Sequence, residues 1–349
     1  MRIKKNKQKY IKLVYNNYII ILKIGIITII IVYIIILHII VNAKLKNLNE
    51  FLYNEANKMN LIIPIIAKDF YKINYNFKFY IKFIEGIKNV IFIGNEEIEN
   101  LIKEMKLSLN FPINFINEKI LLDVDKIKQL IKNRNETAVQ RSGWYIQQFL
   151  KMIYCNICQD KYYLIWDSDT IPIKKVKMFE NNGKPIFDVK TEYFEPYFIT
   201  MKNIFPELGK IFRYSFISEH MIINTKLMKN MINRISSNKN LIGNTWYEKI
   251  INCIDPKYLY HSGFSEFETY GSFVQEHYKQ VYSKRLWKSL RRGMSLNFNP
   301  KILTDKDIKE FSKDYNSITF ENWKYKIYLI ILIYNFKINL YLNLILTKI

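Results

Sequence analysis

Tyr162-Tyr163-Leu164-Ile165-Trp166-Asp167-Ser168-Asp169 is the stretch on which the reading of this chain turns. Five apolar or aromatic residues in a row predict a buried strand. Two carboxylates one residue apart then emerge at its carboxyl end, where open α/β sheets place their ligands. Like charges at that range raise each other's pKa, so such a pair calls for a positive partner. A hard divalent cation that also holds substrate phosphate fills that role. The expectation is a metal-dependent enzyme acting on a nucleotide-linked substrate.

Working outward, strands and helices alternate. Leu61–Ala67 reads as a strand interrupted only by Pro64, and Asp69–Glu85 as a helix. Asn89–Gly94, Phe111–Ile116 and Tyr162–Asp167 read as further strands; Glu96–Lys106, Val124–Lys132 and Gly143–Cys155 read as helices. That alternation predicts a mixed, mostly parallel sheet flanked by helices. Beyond the carboxylates come strands at Lys184–Val189 and Met221–Asn224, then helices at Lys226–Ile235, Thr245–Ile254 and Ser265–Tyr278. Thr170-Ile171-Pro172 reads as a turn-like stop.

Four clusters supply candidate site residues. Asp169 is the first choice for metal contact, and Asp167 shares the metal or accepts from a ribose hydroxyl. Arg141 and Ser142 open a helix: Ser142 reads as its N-cap, and Arg141 and Lys151 as partners for phosphate charge. Trp144 or Tyr145 is placed to stack on a base. Glu219 and His220 precede a strand, as a candidate base and a candidate metal or acceptor contact. Ser265 and Glu268 have capping-box spacing, which leaves Glu266 as the glutamate free to face a substrate.

Bland readings stand beside these. Trp144, Phe149 and Leu150 also suit a core. Cys155 and Cys158 form a CxxC without a second pair at zinc spacing, and read as two small residues on a buried helix face. A haloacid-dehalogenase-type phosphatase also carries paired aspartates after an apolar strand. That reading would use Asp305-Lys306-Asp307 as its later acidic motif, but Thr170 falls one position early. A membrane-tethered scaffold without catalysis is the reading from a different class.

Arg141–Lys151, Tyr162–Pro172, Phe216–Asn224 and Ser262–Val274, in this order, resemble a bacterial group known as the DUF6492-type family, which looks like GT-A glycosyltransferases. The resemblance spans Leu61 to Asn297. It implies a Rossmann-like GT-A fold and transfer of sugar from a nucleotide-sugar donor with Mn²⁺ or Mg²⁺. It further implies that Asp167 and Asp169 are the metal and diphosphate residues. The acceptor would be a glycan, a lipid-linked glycan or a protein. Its hydroxyl would approach from the side of Glu219 and Glu266, one of which removes the proton if the anomeric centre inverts.

The N-terminus adds a membrane. Arg2, Lys4, Lys5, Lys7, Lys9 and Lys12 precede an uncharged apolar run, Ile24–Val41, extended to Tyr18 if Lys23 snorkels. The expected organisation is a basic cytoplasmic segment 1–17, a single-pass anchor 18–42 and a linker 43–59. A catalytic domain 60–300 and an apolar membrane-associated tail 301–349 follow. One span puts the body outside the cytoplasm; the apolar stretch 327–345 reads as a second span, an in-plane amphipathic element or a helix packed on the domain. The net charge of +22 carries no nucleic-acid recognition motif, so nucleic acid is not an expected partner.

Overall fold

The computed structural model describes residues 27–46, 57–106, 111–209, 213–291 and 303–320, with five single residues before 57. The chain divides into two units, Met1–Asn57 and Lys58–Ile349.

The first unit holds helix α1 (Ile27–Lys46), whose mean hydropathy of 2.3 and length suffice to cross a membrane. Its side chains are exposed all round, as a helix without a protein core around it must be. The helix runs four residues past the expected anchor end at 42, into the expected linker. The basic segment 1–14 and the apolar stretch 327–345 lie outside the described residues.

The second unit runs β1 (Met59–Pro64), α2 (Ala67–Phe83), β2 (Ile87–Gly94), α3 (Glu96–Lys106), β3 (Ile113–Asn117), α4 (Glu118–Leu121), α5 (Val124–Arg134) and α6 (Ser142–Ile153). Then come β4 (Tyr162–Trp166), β5 (Thr170–Pro172), β6 (Ile186–Val189), α7 (Glu195–Ile204), β7 (His220–Asn224), α8 (Thr225–Ser237), α9 (Trp246–Cys253), α10 (Pro256–Leu259) and α11 (Glu266–His277). β8 (Ser283–Leu286), β9 (Ser289–Leu290), α12 (Asp305–Phe311) and β10 (Ser317–Thr319) close it.

The main sheet has the order β3-β2-β1-β4-β7. β1 is parallel to both β2 and β4, β2 is parallel to β3, and β7 alone is antiparallel, along β4. Every residue of β4 is buried, because a central parallel strand has both faces covered. This is why Tyr162–Trp166 shows no polar alternation. The chain winds outward from β1 through β2 to β3, then returns to start β4 on the other side of β1. That reversal opens a crevice at the carboxyl ends of β1 and β4.

Local chemistry sets the entry angles of the helices. Asn224 ends β7 and caps α8 by accepting from Lys226 N and Leu227 N. Asp123 caps α5 and Ser265 caps α11. Losing such a cap typically costs about 1 kcal/mol. Gly94 ends β2 where a Cβ would stand 2.6 Å from the Ile65 carbonyl oxygen, so only glycine lets the β1 and β2 exits run that close.

Thr170–Pro172 is not a stop. It forms β5, antiparallel to β10, with β9 parallel on the far side. Ile171, Ile173, Leu303, Ile308, Ile318 and Phe320 pack with Phe79 as a small core. Residues 303–320 therefore belong to the body, and the expected domain end at 300 falls short. Three partly buried aromatics, Phe83, Phe311 and Tyr315, extend this cluster.

Candidate active site

Asp167, Ser168 and Asp169 leave β4 into a cleft of about 860 Å³. The cleft is floored by Pro64 at the end of β1, by Ile65 and Ile66 just beyond it and by Asn95 after β2, and walled by Arg141, Gly143 and Trp144. It therefore occupies the crevice that the strand order creates.

All three carbonyls of the aspartate turn, and the first N–H, are hydrogen-bonded. Asp167 N–H donates to the Glu219 carbonyl at 2.9 Å, and Thr170 N–H to the Asp167 carbonyl at 3.1 Å. The Ser168 carbonyl accepts from Asn76 Nδ2 at 2.8 Å and from the Tyr80 hydroxyl at 3.1 Å. Phe320 N–H donates to the Asp169 carbonyl at 2.7 Å. Asn76 and Tyr80 lie four apart on α2, so one helix face reaches the turn. Burial pushes the Tyr80 hydroxyl well above its ordinary pKa, and the charges of Asp169 and Asp167 push it further the same way. It therefore stays protonated as a donor. Sequence reading missed both residues. The sign that was available is a polar Asn among the mostly apolar residues, Phe70, Ile73, Phe77 and Phe79, that α2 buries.

Asp167 is half-buried, and its Oδ1 is taken by Lys151 Nζ at 2.7 Å. The same ammonium reaches Glu266 Oε1 at 2.8 Å. Burial alone would lower the lysine pKa; the Asp167 and Glu266 charges outweigh it and hold the ammonium above its usual range. Burial pushes the Glu266 carboxyl up, and Lys151 draws it only partly back. One cation serving two carboxylates leaves the trio a net negative charge when all are ionised. The expected roles shift accordingly. Lys151, expected beside phosphate, and Glu266, expected toward substrate, instead pair with each other behind Asp167, and the cleft lining includes Asp167 but neither of them. Glu268 does not complete the expected capping box either. Ser265 Oγ does accept from Glu268 N–H, but the Glu268 carboxylate turns away to accept from Ser215 Oγ and Phe216 N–H, both at 2.9 Å.

Glu219 and His220 also depart from expectation. Glu219 is 4 % exposed and has φ of +63°, a left-handed conformation that costs a side-chain-bearing residue about 1–2 kcal/mol. Its Oε1 accepts from Lys190 Nζ and from Arg291 Nε at 2.7 Å. Burial raises the Glu219 carboxyl, but Lys190 and Arg291 bring it below its ordinary range, so it is a poor proton acceptor. His220 is wholly buried. Its Nε2 meets Asp188 Oδ2 at 2.8 Å and its Nδ1 the Ser218 carbonyl at 2.8 Å. Both ring nitrogens lie at hydrogen-bond distance from oxygens and the ring stacks on Trp166 at 4.3 Å, so neither nitrogen points into the cleft toward a metal. Asp188 is also held by Arg285, at 2.7 and 2.8 Å.

Arg141 and Trp144 line the cleft, whereas Tyr145, the other aromatic at this helix start, is buried. The guanidinium lies 5.2 Å from the centre of the Trp144 ring and donates to Ser262 Oγ at 2.5 Å. Ser142 caps nothing: a 3-10 turn, Glu136–Arg141, runs straight into α6, and the residue is buried. The helix start is thus no open phosphate seat. Cys155 and Cys158 are free and buried, and burial pushes the Cys155 thiol up to about 12, which suits the core reading. Asp305 and Asp307 open α12, where Asp307 closes a capping box with Thr304. The acidic motif that a phosphatase would need is a helix cap.

Among the described residues, no three His, Cys, Asp or Glu side chains converge as a ready-made metal cage. A pair of carboxylates completed by water and substrate phosphates is a common way to hold Mg²⁺, and Asp167 with Asp169 fits that donor set.

Several solved structures match at low similarity. Mouse xyloside xylosyltransferase 1, apo form, matches at 10 % identity and a TM-score of 0.38, over 75 % of this chain and 97 % of that one. The glycosyltransferase GlyE of Streptococcus pneumoniae TIGR4 matches at 9 % and 0.37, over 76 % of this chain and 55 % of its own. The WbbM bifunctional glycosyltransferase matches at 9 % and 0.40, over 76 % of this chain and 46 % of its own. The chain thus spans about half the length of the latter two, and no residue role is carried over from any of them. No curated protein sequence matches the chain. A family model described as "Family of unknown function (DUF6492)" matches residues 56–326, which is the whole second unit through β10, and the chain belongs to that family.

Proposed function

We propose that this chain is a glycosyltransferase that moves a sugar from a nucleotide-sugar donor to an acceptor hydroxyl, with Mn²⁺ or Mg²⁺ at Asp167 and Asp169. The observation that carries the proposal is the placement of these two carboxylates at the strand-order reversal, in the wall of a cleft also lined by Arg141 and Trp144. The base of the donor would lie between the β1 exit and Trp144, and its diphosphate at the aspartates with Arg141 beside it.

A cation bound there would offset charge on the departing diphosphate. The chain's own contribution is rigidity. Asn76, Tyr80 and the Glu219 carbonyl hold the turn, so the carboxylates need no reorganisation as charge develops. Lys151 takes Asp167 Oδ1 and leaves Oδ2 for the cation. With Glu219 tied to two cations and Glu266 behind Asp167, neither glutamate is presented as an acceptor base. The reading assigns these residues to donor binding and leaving-group stabilisation. The acceptor class is a glycan, a lipid-linked glycan or a protein. The helix α1 suits a membrane tether with the basic end in the cytoplasm.

The test is donor hydrolysis by the full chain in detergent against UDP- and GDP-sugars, with Mn²⁺ and with chelator. Turnover of at least one donor, abolished by chelator, is expected. Absence of both turnover and binding for every donor would sink the proposal in favour of a non-catalytic tether.

A further inference from the structure

We infer that Glu219 recognises a hydroxyl of the transferred sugar, an inference that rests on the donor reading above. Glu219 lines the cleft beside Asp167, Ser168 and Asp169, and its carbonyl takes the Asp167 N–H. It therefore sits at the diphosphate end of the cleft, away from the β1 exit where a base would lie. The next group beyond a diphosphate is the sugar.

Two independent features mark the residue. Its backbone is left-handed, at φ +63°, in a place where neither a glycine nor an asparagine stands. Strain of that kind persists where surrounding structure holds it, and concentrates at binding sites. Its carboxylate is also used on one side only. Oε1 is met by Lys190, Arg291 and Ser289, whereas Oε2 is buried with no hydrogen-bond partner among the described residues. Buried oxygens without donors are uncommon in folded proteins and call for an explanation.

The chemistry of the missing partner follows from charge. Arg291 also pairs with Glu192 at 3.0 Å, and Lys190 with Glu192 at 3.6 Å. Among the described residues these two carboxylates and two cations make a neutral quartet, which favours a neutral partner over another ion. An ionised carboxylate accepts and cannot donate. What fits Oε2 is a neutral donor, and on a sugar that is a hydroxyl. A site built to hold a hydroxyl discriminates strongly against the analogue that lacks it. Glu219 would accordingly set donor-sugar choice and not take part in proton transfer.

The experiment is calorimetry on the full chain with Mn²⁺, using UDP and GDP, UDP-glucose, UDP-galactose and GDP-mannose. It also uses the monodeoxy forms of the sugar in whichever conjugate binds. Glu219→Gln should bind the free nucleotide within about twofold of the unsubstituted chain but the conjugate roughly 10- to 100-fold more weakly. The unsubstituted chain should lose a comparable factor for one deoxy position, and this arm decides alone if Glu219→Gln does not fold. Equal loss for nucleotide and conjugate, or a deoxy series flat to within twofold, overturns the role of Glu219 while the donor reading stands. Failure of every nucleotide and conjugate to bind the unsubstituted chain overturns the donor reading, and this inference with it.

Discussion

Two buried charge clusters flank the end of β4, and they are built to opposite ends. On one side Asp188, His220 and Arg285 form a closed set. Asp188 is wholly buried, each of its oxygens is met by a donor, and the histidine stacks on Trp166 and meets Trp287 edge-on. On the other side Lys151 holds Asp167 and Glu266, one cation for two carboxylates, and Asp167 opens to the cleft with Asp169. A balanced, sealed cluster has nothing left to bind and serves the scaffold. An unbalanced one at a cleft edge is completed by something positive. The contrast separates structural from functional acids at the same end of one sheet, which residue type alone does not.

If that division is right, the largest effect belongs to the sealed cluster. Asp188→Ala should destabilise the fold by about 3–5 kcal/mol, the usual cost of orphaning a buried charge, read as a shift in denaturant midpoint. A loss below 1 kcal/mol would show that the cluster is not structural. Next comes the open cluster. Asp169→Asn should lower donor turnover by about 10²–10³-fold and cost the fold less than Asp188→Ala, since Asn keeps an oxygen that can accept from the Thr170 hydroxyl. Trp144→Ala should weaken nucleotide binding by about tenfold, consistent with loss of one base–aromatic stack; unchanged affinity would return Trp144 to the core. The smallest effect is in acid. The Asp188 carboxyl is buried, which raises its pKa, but His220 and Arg285 outweigh that and hold it below the ordinary range. The unfolded chain therefore takes the proton first. This stabilisation is complete above the usual aspartate pKa of about 3.9 and is lost as pH falls through the lower folded value. Asp188→Asn should flatten that part of the acid-unfolding curve.

Much of this was legible in the residues. The continuous apolar run Tyr162–Trp166 announced a central strand, and the helix–strand alternation announced the parallel order; both depend on local pattern. The positions of Asp167, Asp169, Arg141 and Trp144 followed because each sits at the end or start of a readable element. What escaped were pairings between distant segments. β5 exists because residues 317–319 lie beside it, and Thr170-Ile171-Pro172 alone gives no hint of that. Glu219 appeared to be a candidate base because Lys190 and Arg291, 29 and 72 positions away, are invisible in its neighbourhood. His220 appeared to be a ligand for the same reason, with Asp188 on another strand. Glu266 lies in the first turn of α11, where a side chain can point several ways, and Lys151 decided its direction. The carboxylates were found by sequence; which of them were already neutralised was not.

The claim beneath all of this is that Asp167 and Asp169 hold a divalent cation together with nucleotide phosphate. Mn²⁺ electron paramagnetic resonance tests it most directly, by titrating the full chain into Mn²⁺ with and without UDP or GDP. Loss of the free-ion signal only when nucleotide is present, and its absence in the Asp167→Asn, Asp169→Asn double variant, is the expected result. A signal that stays free with the unsubstituted chain and nucleotide, or is quenched equally by the double variant, would contradict it.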